Sequence, residues 1–118
     1  MSAAHAFDTA LPADRYLVPE KHDVLCFLGE HPGLDSLLEA APGYVERAFG
    51  QRLPMRLTVF RDADEPSFSQ LLVEVLTGRT GEDAWAAADS ALHLLHETWL
   101  VSLPRHVTRN ILFVAEPS

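Results

Sequence analysis

Met55-Arg56-Leu57-Thr58-Val59-Phe60 marks the point where the spacing of apolar residues changes along the chain. Before it, Leu34, Leu37, Leu38, Ala41, Tyr44, Val45, Ala48 and Phe49 recur at i, i+3, i+4 and i+7, the spacing of a helix with one apolar stripe. From residue 55 onward Met55, Leu57 and Val59 alternate with Arg56, Thr58 and Phe60, which is the period of a strand. A chain that carries both periods buries helices against a sheet, and with helices leading and strands following the fold class is α+β.

Toward the N-terminus, Val24, Leu25, Phe27 and Leu28 predict a first helix over 20–30, stopped by Gly29 and Pro32-Gly33. A second helix runs from Leu34 to Gly50 and forms a hairpin with the first; Pro42-Gly43 in its middle is a cost. Residues 1–19 hold no period and carry Leu11-Pro12 and Val18-Pro19, which predicts a flexible N-terminal arm ahead of a single domain over 20–118.

Toward the C-terminus, Asp62-Ala63-Asp64-Glu65-Pro66-Ser67 is turn chemistry, and Leu71, Val73 and Val75 against Leu72, Glu74 and Leu76 make a second strand, antiparallel to the first. Thr77-Gly78-Arg79-Thr80-Gly81 ends it, and Thr80 with Asp83 resembles a capping box for a long helix. That helix carries Trp85, Ala88, Leu92, Leu95 and Trp99 as its stripe and stops at Pro104. Ile111-Leu112-Phe113-Val114-Ala115 is apolar on both alternating sets and reads as a third strand covered on both sides.

The expected architecture is two N-terminal helices followed by a strand-strand-helix-strand unit. Its three-stranded mixed sheet packs on the long helix, with the first strand between the other two. Leu57, Val59, Val73, Val75, Leu112 and Val114 then face the helix. The opposite face carries Phe60, Leu72, Leu76, Ile111 and Phe113, too apolar for water alone.

Composition narrows the function. The 118 residues hold 9 Lys and Arg against 17 Asp and Glu, a net charge of −8, with 47% apolar and 22% charged residues. An acidic excess without a basic cluster repels phosphate backbones, which disfavours direct nucleic-acid binding. Cys26 is the only cysteine, so no internal disulfide forms, and its apolar neighbours Val24, Leu25, Phe27 and Leu28 predict a buried, inert thiol. No apolar run approaches the ~20 residues of a membrane span, and Met1 to Asp8 lack the pattern of a signal peptide, so the expected location is cytoplasmic.

Candidate chemistry is sparse. Asp89, His93, His96 and Glu97 on the long helix offer metal ligands and define the alternative function, a metal-binding protein or small enzyme. A stable zinc site needs three or four ligands, and no His-Glu-x-x-His or paired-cysteine pattern supplies the remainder. Asp62, Asp64 and Glu65 are what turn formation alone selects. No Gly-x-Ser-x-Gly elbow or glycine-rich phosphate loop is present, and no cofactor is implied. The segment Trp99-Leu100-Val101-Ser102-Leu103-Pro104-Arg105 joins two residue types that dominate protein interfaces, Trp99 and Arg105.

Four segments give the chain a resemblance. They are Phe27-Leu28-Gly29-Glu30-His31-Pro32 with Leu37-Leu38-Glu39-Ala40, then Phe60-Arg61-Asp62, then Gln70-Leu71-Leu72-Val73, then Glu97-Thr98-Trp99-Leu100-Val101-Ser102-Leu103-Pro104-Arg105. Together they resemble a group of small bacterial proteins without an established activity, although that group carries a second tryptophan where Thr98 stands and an acid where Val101 stands. The resemblance implies a soluble prokaryotic protein that pairs with a neighbouring protein in a toxin and antitoxin manner.

The function expected from these observations is a non-catalytic protein-protein interaction module. It self-associates as a homodimer or caps a protein partner, through Phe60, Leu72, Leu76, Ile111 and Phe113 or through the Trp99 to Arg105 edge.

Overall fold

A computed structural model describes residues 16–65 and 68–117. Strand β1 (Tyr16–Leu17) is followed by helices α1 (Lys21–Glu30) and α2 (Leu34–Phe49), strands β2 (Met55–Arg61) and β3 (Ser69–Leu76), and helix α3 (Glu82–Thr98). A 3₁₀ turn (Leu100–Ser102), a short helix α4 (Arg105–Thr108) and strand β4 (Ile111–Glu116) complete the domain. The α+β class holds, with four strands and four helices among the described residues where three and three were expected.

The extra strand lies inside the expected arm. Tyr16 and Leu17 pair parallel with Met55 and Arg56, and a specific demand holds Tyr16 there. Pro42 sits inside α2 and has no N–H to offer the carbonyl of Leu38, four residues back. The buried Tyr16 hydroxyl donates to that carbonyl at 2.6 Å. The proline therefore neither splits the helix nor strands an acceptor, and the domain begins earlier than residue 20. Residues 1–15 of the expected arm lie outside the described residues.

The sheet order is β1-β2-β3-β4. β2 and β3 are antiparallel, with Leu57 opposite Val73. β3 and β4 are parallel, with Leu71 beside Ile111 and Val73 beside Phe113. The parallel relation across α3 was expected, but β3 is the strand between the other two, not β2. The crossover joins neighbouring strands, the shortest way for a helix to cover the sheet it connects.

The register also settles which side chains share a face. Tyr16, Met55, Leu57, Val59, Leu71, Val73, Val75, Ile111 and Phe113 point to one side, where the helices build the core with Val24, Phe27, Leu34, Leu38, Val45, Leu95 and Trp99. Leu112 and Val114 point to the other. The expected phase of β4 is thus inverted by one residue, so Ile111 and Phe113 belong to the core.

Two helix faces differ from expectation for the same geometrical reason. In α1 an unbroken apolar run cannot all face inward; Val24, Phe27 and Leu28 are buried and Cys26 is exposed on the far side. In α3 the buried line is Ala88, Ala91, Leu95 and then Trp99, while Leu92 is half-buried and Trp85 is 50% exposed. Small alanines at 88 and 91 let this helix approach closely, and the contact line rotates past Trp85. The capping box at Thr80 does not form either: Gly81 caps α3 without a side-chain bond, and Glu82 and Asp83 set negative charge at its positive end.

Gly33, at the start of α2, has φ of 102°, and an added Cβ would lie 3.1 Å from the Val107 side chain. The hairpin and α4 therefore meet at a position that suits glycine alone. Pro104, expected only as a stop, also begins α4, whose Val107 is buried.

Candidate interaction surface

With all the helices' buried residues gathered on one side, the other face of the sheet carries Leu17, Arg56, Thr58, Phe60, Leu72, Glu74, Leu76, Leu112 and Val114. Leu17 is 54% exposed, Phe60 42% and Leu112 45%. Leu72 and Val114 are half-buried, and Leu76 is shielded. Side chains alternate across a strand, so the residues that would waste the least surface here are polar; five apolar ones instead define a sticky strip.

In its middle sits one polar network. Arg56 Nε donates to Glu74 Oε1 at 3.2 Å and Nη2 to Oε2 at 2.8 Å, a two-pronged pairing across β2 and β3. The Thr58 hydroxyl donates to Glu74 Oε1 at 3.3 Å. Hydrogen bonding from Arg56 outweighs the cost of burial and holds the Glu74 carboxyl below the usual glutamate range. The same bond raises Arg56. Glu74 is the one buried charged residue among those described.

Of the residues expected on this surface, Phe60, Leu72 and Leu76 are there; Ile111 and Phe113 are not, and Leu17, Leu112 and Val114 take their place. One signal marks the phase of β4: Glu116 shares parity with Leu112 and Val114, and a charged residue at a strand end points to the wet side. Nothing in residues 1–19 announces Leu17.

The Trp99 and Arg105 pair is separated by burial. Trp99 is in the core, stacked on Tyr44 with ring centres 4.5 Å apart and planes 4° apart, and edge-on to Phe113 at 5.9 Å. The Arg47 guanidinium covers the other ring, 5.4 Å from the Tyr44 centroid. Trp99 is therefore the anchor that ties the end of α3 to α2 and β4. Arg105 is exposed and lines an open groove of about 700 Å³ beside β4, together with Leu92, His96, Leu100, Arg109 and Leu112.

The α3 histidines separate as well. His93 Nε2 lies 3.0 Å from Glu97 Oε1, both side chains well exposed, an i, i+4 pair on the helix surface. His96 lines the β4 groove, and Asp89 with His93 lines a separate shallow hollow. Among the described residues no three His, Cys, Asp or Glu side chains converge on a point where a metal ion could sit. Cys26 Sγ lies 3.6 Å from His22 Nε2 on an exposed helix face, a contact between neighbouring turns. Asp62 Oδ1 accepts from the Asp64 and Glu65 amides at 2.9 and 3.3 Å, so this cluster serves the turn.

No described helix is long and apolar enough to cross a membrane. Comparison with protein-family models, curated proteins and solved structures finds no match.

Proposed function

We propose that this chain is a non-catalytic interaction module whose helix-free sheet face takes the apolar surface of a protein partner. The observation that carries it is the distribution of side chains across the sheet: the helices occupy one face completely, and the other still presents Leu17, Phe60, Leu72, Leu112 and Val114 around the Arg56 and Glu74 pair. An apolar centre holding one satisfied polar pair is how protein interfaces combine affinity with orientation. The molecule's charge of −8 favours a partner with a basic rim, drawn in by long-range attraction that weakens with salt. A capping role of this kind agrees with the pairing implied by the resemblance noted above.

The test is a comparison of the wild type with Leu72→Glu, a substitution at the centre of the face and away from the core. Proteins retained from the native organism's extract by the wild type and lost with Leu72→Glu, with melting unchanged, support the proposal. A partner set indifferent to Leu72→Glu and to Phe60→Glu contradicts it.

A further inference from the structure

The two edges of the sheet are built differently. β1 closes one edge with two residues and is followed by Pro19, which gives a neighbouring strand almost nothing to pair with. β4 forms the other edge with six residues, five of them apolar and uncharged, and no described strand pairs with its far side. Natural proteins blunt such edges with lysine, proline, a bulge or a covering loop. Ile111–Glu116 holds neither lysine nor proline, the first proline being Pro117 just beyond it, and the groove beside it leaves Leu112 exposed.

The hydrogen-bonding pattern states which groups are on offer. The Leu71 amide donates to the Asn110 carbonyl and the Thr77 amide to the Glu116 carbonyl, each at 2.8 Å, so even-numbered residues of β4 face β3. In a parallel ladder the alternate residues turn their backbone groups away. Ile111, Phe113 and Ala115 therefore direct their N–H and C=O outward along the open edge.

We infer that a second copy of this chain pairs with β4 antiparallel about a two-fold axis at Phe113, joining two sheets into one. This register alone uses all three outward residues: Ile111 meets the partner subunit's Ala115, Phe113 meets its own counterpart, and Ala115 meets the partner subunit's Ile111. About six backbone hydrogen bonds cross such a junction. Charge supports the same register. Glu116 falls opposite the partner subunit's Asn110, beside the partner subunit's Arg109, and the contact occurs twice. No acidic residue stands between Glu97 and Glu116, so the stretch holding Arg105 and Arg109 is a basic edge on an acidic protein. On the outer side Leu112 lies next to the partner subunit's Val114, which makes the two helix-free faces continuous. The edge is a site distinct from that face, so the two proposals stand or fall separately.

Ala115→Pro tests the pairing, because it removes an outward N–H and obstructs the edge while leaving the bonds to β3 in place. The wild type should sediment as a dimer that dissociates on dilution, and Ala115→Pro as a monomer with unchanged circular dichroism. Arg109→Glu and Glu116→Arg should each weaken the dimer at least tenfold, and the double exchange should restore it. Leu72→Glu, on the neighbouring strand β3 and away from the open edge, should leave the dimer intact. A wild type that stays monomeric at high micromolar concentration overturns the inference, as does a dimer that survives Ala115→Pro or one that the double exchange fails to rescue.

Discussion

The two faces of the sheet are made from the same strands and the same alternation, yet they do different things. On the helix side Met55, Leu57, Leu71, Val73 and Val75 have no exposure at all. On the outer side Leu17, Phe60 and Leu112 remain about half exposed around a buried glutamate. Apolar area stabilises a fold only when something removes it from water, at roughly 25 cal/mol per Å². The inner face obtains that stabilisation within the chain. The outer face leaves the same kind of side chain in contact with water, and on the function proposed above a partner would remove it.

The largest expected contrast is between matched leucines. Leu57→Ala or Leu95→Ala should destabilise by about 2 to 5 kcal/mol, from lost burial and the cavity left behind. Leu112→Ala, whose side chain is half in water, should cost less than about 1 kcal/mol. Equal losses in urea denaturation would erase the distinction between the faces.

Next is the Tyr16 bond, which attaches the first strand to the inner layer. Tyr16→Phe leaves the buried Leu38 carbonyl without that donor and should cost about 1 to 3 kcal/mol. Pro42→Ala restores an N–H four residues on, so Tyr16→Phe should cost less in that background. A double-mutant cycle with no coupling would separate the proline from the tyrosine.

A smaller effect belongs to the polar pair of the outer face. The Glu74 carboxyl titrates lower in the folded chain than unfolded, because Arg56 hydrogen-bonds its charged form. Its contribution is complete above the unfolded value of about 4.3 and is lost as pH falls through the depressed folded value. Glu74→Gln should lower stability at neutral pH toward the value reached in acid, and so flatten the acid side of the profile. An unchanged acid limb would show that the pair adds nothing. Smallest of all, His93→Ala should shift stability by no more than roughly 0.5 kcal/mol, as expected of an exposed surface pair.

Helices α1 to α3, the β2 and β3 hairpin and the class of the fold are legible in residues 20 to 115 because periodicity reports which side of an element is dry, whereas the four residues of α4 are too few to show a period. It fails where both sides are apolar. In β4 every residue from Ile111 to Ala115 is apolar, so alternation carries no phase and does not show that Ile111 and Phe113 face the helices. Trp85 lies off the core although it falls on the apolar stripe, because α3 carries more apolar residues than its contact line needs and the alanines make that line. Tyr16–Leu17 was invisible for another reason: two residues have no period, and their place depends on a carbonyl left over by a proline twenty-six positions away. The outer strip was legible through Phe60, Leu72 and Leu76, while Leu17 and Leu112 required the register.

The most direct test of β4 as an edge that is satisfied on one side and open on the other is amide hydrogen exchange within that strand, followed as protein concentration rises. The amides of Leu112, Val114 and Glu116 bond to β3 and should be protected at every concentration. Those of Ile111, Phe113 and Ala115 should exchange fast in dilute solution and become protected in step with dimer formation. If all six exchange alike, or the outward three stay fast once the protein is concentrated, β4 is not the edge through which this molecule meets its second copy.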